Sequence, residues 1–163
     1  EITLNVDELP FVVAKPHQFG NIAPVDEVTG TRIHQAQIGS CANGRFEDIE
    51  IAARVLKKHK VAKGVRFIIS PASQQVYLQC LKAGLIETLI EGGAQVITPG
   101  CGICQPRVGF LSDGEVCITA TTRNFRGRKG SQSAEIYLGG PLTVAAAAVA
   151  GEIVNPKEVL RGL

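Results

Sequence analysis

The 163-residue sequence predicts an α/β fold, a three-layer α/β/α domain with a mostly parallel sheet. Three observations predict it. From about residue 31, short segments rich in Val and Ile alternate with segments of helical periodicity, the pattern of strands joined by crossover helices. Pro71, Gly84, Gly92, Pro141 and Gly151 mark the ends of these pieces. Apolar residues make up 45% of the chain and aromatic residues only 5%, which suits a core of Val, Ile, Leu and Ala. At this length such a core needs no covalent staples.

Residues 1–30 carry Pro10, Pro16, Gly20 and Pro24 among short apolar pieces such as FVVA. They are expected to form an extended lead-in with one strand, packed on a single domain spanning 31–163. RIHQAQIG (32–39) is the first strand of that domain. GRFEDIEIAARVLKKHK (44–60) is a helix: Glu47 and Asp48 lie in its first turn and Lys57, Lys58 and Lys60 in its last, as the macrodipole favours. Ile51, Ala52, Val55 and Leu56 give its apolar stripe. VRFIIS (65–70) is a buried strand. Ser70 then suits a helix cap and Pro71 a first helical position, for a helix running to Gly84. LIETLIE is a short helix ending at Gly92, AQVIT (94–98) and EVCITAT (115–121) are further strands, and 141–150 is an alanine-rich closing helix.

The composition excludes several roles. A net charge of +2 without charge runs gives no electrostatic footprint for nucleic acid. The longest apolar run, PLTVAAAAVAG (141–151), is far short of the roughly 20 residues a membrane span needs. Five cysteines, an odd count with no secretory signal, argue against a disulfide framework and for a reducing, cytoplasmic setting. The chain opens at Glu1 and holds no methionine, so a domain cut from a larger protein is expected.

Three loops follow predicted strands and are too polar and glycine-rich to be core: GSCANGR (39–45), PGCGICQPRVG (99–109) and TTRNFRGRKG (121–130). In open α/β sheets, ligands bind at that carboxyl edge. The loops are therefore expected to meet there, with Cys41, Cys101, Cys104 and several arginines. Cys80 and Cys117 lie in apolar helix and strand patterns and read as small buried hydrophobes.

A Cys-x-x-Cys pair is a redox couple, half a zinc site or part of an iron–sulfur cluster. Zinc takes four ligands and would draw on His34 or His59, neither well placed. A redox couple leaves Cys41 idle. Three thiolates instead suit a cubane cluster in which one iron lacks a protein ligand and acts on substrate oxygen as a Lewis acid. Such a centre needs an anionic substrate, and Arg123, Arg126, Arg128 and Lys129 fall within seven residues of one another. Guanidinium forks grip carboxylates in a bidentate way that lysine cannot reproduce.

These loops resemble the aconitase superfamily. IGSCANGRFED (38–48), PGCGIC (99–104) and RNFRGRKGS (123–131) look like its cluster-cysteine and substrate-arginine motifs, in the same order and at similar separations. AAAAVAGEIVNP (145–156) and the lead-in VVAKPHQFGNIAPVDEV (12–28) extend the likeness over nearly the whole chain. It is nearest the third domain of isopropylmalate isomerase and homoaconitase large subunits. The resemblance implies a [4Fe–4S] cluster on Cys41, Cys101 and Cys104, with substrate carboxylates held by Arg123 and Arg128. Ser40, Asn43, Thr122 and Asn124 are then supporting residues in the same motifs. Arg126 falls on a variable position and inherits no role.

It also implies a hydro-lyase that dehydrates and rehydrates a hydroxy di- or tricarboxylic acid, with no catalytic base in this chain. Active-site histidines and acids would come from two preceding domains of the large subunit, and the catalytic serine base and further arginines from a separate swivelling domain or small subunit. The sequence departs from the family at Thr122, usually asparagine, at Ala42, usually threonine, and in CQP for CLG. Two other readings stand beside this one. An electron-transfer cluster module would need a fourth cysteine, with Cys117 the only candidate. A non-catalytic domain would carry its cysteines as vestiges.

Overall fold

A computed structural model describes Asn5 and residues 9–161. Residues 1–4 and 6–8 of the expected lead-in, and 162–163, lie outside the described residues.

The centre of the sheet is built from strands with almost no exposed residue, as strands covered on both faces must be. Every residue of β3 (Gln35–Gly39) is buried, as is all of β4 (Arg66–Ser70) after its first residue. β5 (Gln95–Val96) extends the sheet beyond β4, while β6 (Val116–Thr119) and β7 (Glu135–Gly139) extend it on the other side of β3. All these neighbours are parallel. β1 (Val12–Ala14) and β2 (Ile22–Pro24) form an antiparallel hairpin that caps the edge at β7. The sheet order is β2-β1-β7-β6-β3-β4-β5, so the chain winds outward one way from β3 and then returns to its other side. The topological switch point lies between β3 and β6, where an α/β sheet opens a crevice at its carboxyl edge.

The helices follow from local chemistry. α1 (Ser40–Asn43) is a single turn after β3. α2 (Phe46–Leu56) starts where the Asp48 carboxylate accepts the Arg45 amide hydrogen at 3.0 Å, and it buries Ile49, Ala52, Ala53, Val55 and Leu56. Its lysine-rich tail runs out as a turn. α3 (Gln74–Lys82) begins later than expected. Ser70 belongs to β4 and its hydroxyl donates to the Thr98 carbonyl, so Ser73 is the cap instead, accepting the Val76 amide hydrogen at 3.2 Å. α4 (Leu85–Glu91) and α5 (Pro141–Ala150) have the expected bounds. α6 (Pro156–Leu160), β2 and β7 are additions to the expected elements.

α2 packs on α3, α4 and α5, and α5 on β3 and β6, around Ile38, Phe67, Ile69, Ile118 and the alanines of α5. Alternate residues of the strands point the other way. That second face carries Gln35, Gln37, Cys117 and Ile136, and is covered by the 99–115 and 120–134 segments through a small cluster of Leu111, Cys117, Ala134 and Ile136. The sheet thus lies between two layers, as the α/β class requires. No helix among the described residues is long and apolar enough to cross a membrane.

At the amino edge, Arg66 grips Glu115 through two parallel bonds of 2.8 and 2.7 Å, and its Nε donates to Gln35 at 3.1 Å. The Arg66 hydrogen bonds hold the Glu115 carboxyl below its ordinary range. The folded chain therefore binds fewer protons than the unfolded chain in acid. The stabilisation is present above the ordinary carboxylate pKa and is lost as pH falls through the lowered folded value. Glu115→Gln is expected to cost about 1 kcal/mol at neutral pH, a charged hydrogen-bond pair discounted for the partial exposure of Arg66, and less in acid. Thermal unfolding of both proteins between neutral pH and the carboxylate range measures the convergence.

Candidate metal centre

β3 ends against β4 so closely that its last residue must be glycine. A Cβ on Gly39, whose φ is +136°, would lie 2.0 Å from the Ser70 carbonyl oxygen. The next residue, Ser40, takes the left-handed conformation at φ +61°, uncommon for a residue with a side chain. The chain turns there into α1 and leaves Cys41 exposed at the carboxyl edge. Asn43 anchors the turn across the switch point, its amide donating to the Ala120 carbonyl beyond β6 at 2.6 Å.

The second loop leaves β5 and forms a 3-10 turn, Gly102–Cys104, capped by Cys101. Cys104 donates its amide hydrogen to the Cys101 carbonyl at 3.1 Å, and Val108 to the Gly102 carbonyl at 3.2 Å. Ile103 is wholly buried and pins the turn inward, with Cys101 exposed and Cys104 half-buried. α1 packs directly against this turn. The loops carrying Cys41 and the Cys101/Cys104 pair therefore adjoin.

The third loop leaves β6 on the other side of the switch point. Thr122 and Arg123 are exposed, and the Arg123 guanidinium donates to the Thr122 carbonyl at 2.9 Å. Arg128 is half-buried with its guanidinium over the Phe125 ring, 5.3 Å from the centroid. Arg126 is exposed and donates to the Gln132 carbonyl at 3.2 Å. Asn124 is buried and donates to the Lys15 carbonyl at 3.0 Å, fastening the lead-in to this loop. Between lead-in residues His17–Gly20 and Arg123–Phe125 lies a cavity of about 470 Å³.

Lys129 departs from its expected place. It reads in sequence as one more cation of an exposed basic loop, yet it is only 1% exposed. Its ammonium donates to the Ile103 carbonyl at 2.7 Å and to the Gln37 side-chain oxygen. Burial pushes its pKa down. The signal that points to it is in β3: a strand destined for the core with glutamines at 35 and 37 demands buried polar partners.

Cys80, Cys117, His34 and His59 sit elsewhere, while His17 borders the cavity beside the arginine loop. Cys80 and Cys117 are fully buried, and burial raises both thiols, disfavouring the thiolate a metal needs. His34 precedes β3 and accepts the Val116 amide hydrogen through Nδ1 at 3.0 Å. His59 follows α2 on the way to β4. Both lie toward the amino edge, away from the cysteine loops, which removes the zinc reading's extra ligand.

Among the described residues, no three Cys, His, Asp or Glu side chains converge on the position of a single metal ion. A cubane is wider than one ion and holds its thiolates further apart, so the donor set must be judged by its chemistry. Three free thiols stand on two adjoining loops at the carboxyl edge. The Ser40 hydroxyl, next to Cys41 in the chain, is buried with no hydrogen-bond partner. It is a donor, and sulfide and thiolate sulfur are acceptors. The residues fit an anionic iron–sulfur group.

The sequence pattern of the aconitase family (aconitate hydratase) matches residues 12–151. The chain is 52% identical over 161 residues to "3-isopropylmalate dehydratase large subunit 2" of Archaeoglobus fulgidus, covering 98% of this chain and 39% of that protein. It is 49% identical over 158 residues to the protein of the same name from Pyrococcus furiosus, covering 96% and 41%. A "Probable methanogen homoaconitase large subunit" of Methanothermobacter thermautotrophicus is 47% identical over 155 residues, covering 94% and 36%. The chain thus spans about two-fifths of the length of these curated relatives.

Proposed function

This chain belongs to the aconitase family, and from that premise we propose that it is the cluster-bearing part of a hydro-lyase of the 3-isopropylmalate dehydratase or homoaconitase type. The observation that carries the reading is the meeting of two cysteine loops at the carboxyl edge, with an arginine loop across the switch point. Residues 31–163 with the lead-in 1–30 correspond in this reading to the third domain of a large subunit.

In this proposal Cys41, Cys101 and Cys104 hold a [4Fe–4S] cluster. When bound, the cluster supplies a Lewis-acidic iron with an open position for the substrate's hydroxyl and a carboxylate. The chain's own residues bind and orient. Arg123 and Arg128 take substrate carboxylates in charge-assisted bonds, and Phe125 steadies the Arg128 guanidinium from below. The buried Ser40 hydroxyl, unpartnered and next to Cys41, would be available to donate to the group the cysteines hold. Asn43 and Asn124 are positioning residues, tying α1 to the end of β6 and the lead-in to the arginine loop. Thr122 offers a short hydroxyl where the family usually has an amide.

The substrate is a hydroxy di- or tricarboxylic acid, dehydrated and rehydrated through an alkene. The partners are the remaining domains of a large subunit and a small subunit, in the cytoplasm. The relatives' names, each a large subunit, support this assignment. Anaerobic reconstitution tests it: iron and acid-labile sulfide should be taken up in equal amounts, at one cubane per chain. Uptake of iron without sulfide would refute the cluster. The reconstituted chain alone is expected to show no hydration or dehydration of isopropylmalate, homocitrate or citrate, because losing a positioned general base costs about 10²–10⁴-fold in rate. Turnover by the purified chain would place the base within it.

A further inference from the structure

Lys129 is buried, yet it takes part in no ion pair among the described residues. An ammonium taken out of water without an anion is costly, and proteins keep one only where something repays it. Its two acceptors locate the repayment. One is the carbonyl of Ile103, the residue between Gly102 and Cys104 in the turn that carries the cysteine pair, at 2.7 Å. The other is the side-chain oxygen of Gln37 in β3. The lysine is itself held from behind, since its carbonyl accepts the Leu111 amide hydrogen at 2.8 Å. The side chain thus runs between the sheet and the cysteine turn, in which Cys101 is exposed and Cys104 half-buried.

We propose that Lys129 is a positioning residue for the metal centre: its buried ammonium clamps the Cys101–Cys104 turn to β3 and lies beneath that turn as the counter-charge to the anionic group it holds. The inference rests on the cluster reading and adds a residue to it. The clamp acts before the group arrives. It fixes the Ile103 carbonyl, so the spacing of the two thiols is set in the apo chain. The charge acts afterwards, because a buried cation favours the more negative, reduced form of a cluster.

The test uses the 163-residue chain and its Lys129→Met variant, which keeps the length and apolar stem but removes the donors. In the apo proteins, hydrogen exchange at the Cys104 and Val108 amides should quicken by about tenfold in the variant, with Ile38 and Ile69 unchanged. After reconstitution the midpoint potential of the variant's cluster should be lower. Where Lys129→Met fails to fold, the unsubstituted apo chain still decides. Its Lys129 ammonium protons should exchange slowly enough to give a resolved ¹⁵N-correlated signal, coupled to the Ile103 carbonyl. Unchanged exchange at Cys104, or ammonium protons that exchange like those of a surface lysine, overturns the clamp whether or not a cluster assembles. A clamp without any change in potential overturns the counter-charge. An unsubstituted chain that takes up no iron and sulfide overturns the cluster reading instead, and leaves the exchange result to judge the clamp.

Discussion

Serine in place of Cys41, Cys101 or Cys104 is expected to abolish cluster assembly, while serine at Cys80 or Cys117 leaves it intact. The physical difference lies in where the sulfur is. The first three thiols stand at the carboxyl edge on adjoining turns, exposed or half-exposed, where an anionic ligand can reach them. Cys80 faces the helix-side core, and Cys117 packs with Leu111, Ala134 and Ile136 beneath the other layer. A serine hydroxyl does not ionise near neutrality and is a poor ligand for iron, so each loss in the first group removes a whole attachment point. In the second group the cost falls on folding, about 1–3 kcal/mol for a hydroxyl buried without a good partner. Absorbance in the thiolate-to-iron charge-transfer region, read on anaerobically reconstituted variants whose circular dichroism matches the parent, separates the two outcomes. Loss of the cluster in Cys117→Ser at unchanged fold would make it a fourth ligand.

In the full assembly, Arg123→Lys and Arg128→Lys should each weaken substrate binding or turnover by at least about tenfold, equivalent to ~1.4 kcal/mol. Lysine keeps the charge and loses the fork, and a charge-assisted bond is worth about 1.5–3 kcal/mol. Arg128 loses a second contact as well, because its planar guanidinium lies over Phe125. Arg126 is the internal control. It is exposed and occupied with the Gln132 carbonyl, a bond that a lysine ammonium can replace, so Arg126→Lys should be nearly neutral. Equal damage from all three would mean a diffuse basic patch instead of two aimed forks. Steady-state kinetics on the reassembled enzyme measures the difference.

The parts of the fold that were legible in the sequence are those whose signal is local. α4 and α5 are bracketed by glycine or proline, and their bounds follow from that chemistry. β4 and β6 read as strands because apolar runs rich in β-branched residues between polar loops suit a strand covered on both faces. β3, QAQIG, holds a single β-branched residue and reads as a strand from its place before a glycine-rich loop. What was not legible is tertiary. EIYLG gives no clear period between its neighbouring loops, and it becomes β7 only by lying between β6 and β1. Ser70 looks like a cap from its neighbour Pro71, but the sheet claims it, and the helix waits for Ser73. At the site, the cysteine and arginine loops were legible because strand, glycine and ligand type coincide in each. Lys129 was not, since RNFRGRKG alone looks like a solvated basic turn. The isolated bridge between Leu111 and Gly130, where Gly130 takes φ +133°, and the bonds of the Lys129 ammonium to Gln37 and Ile103 are tertiary features that accompany its burial.

The central claim, three protein thiolates and one open iron, is tested most directly by Mössbauer spectra of the anaerobically reconstituted chain, with and without a hydroxy acid. One iron subsite in four should change its parameters on adding isopropylmalate, homocitrate or citrate, with the other three unmoved. Four equivalent, unresponsive sites would contradict the account and assign the chain to electron transfer.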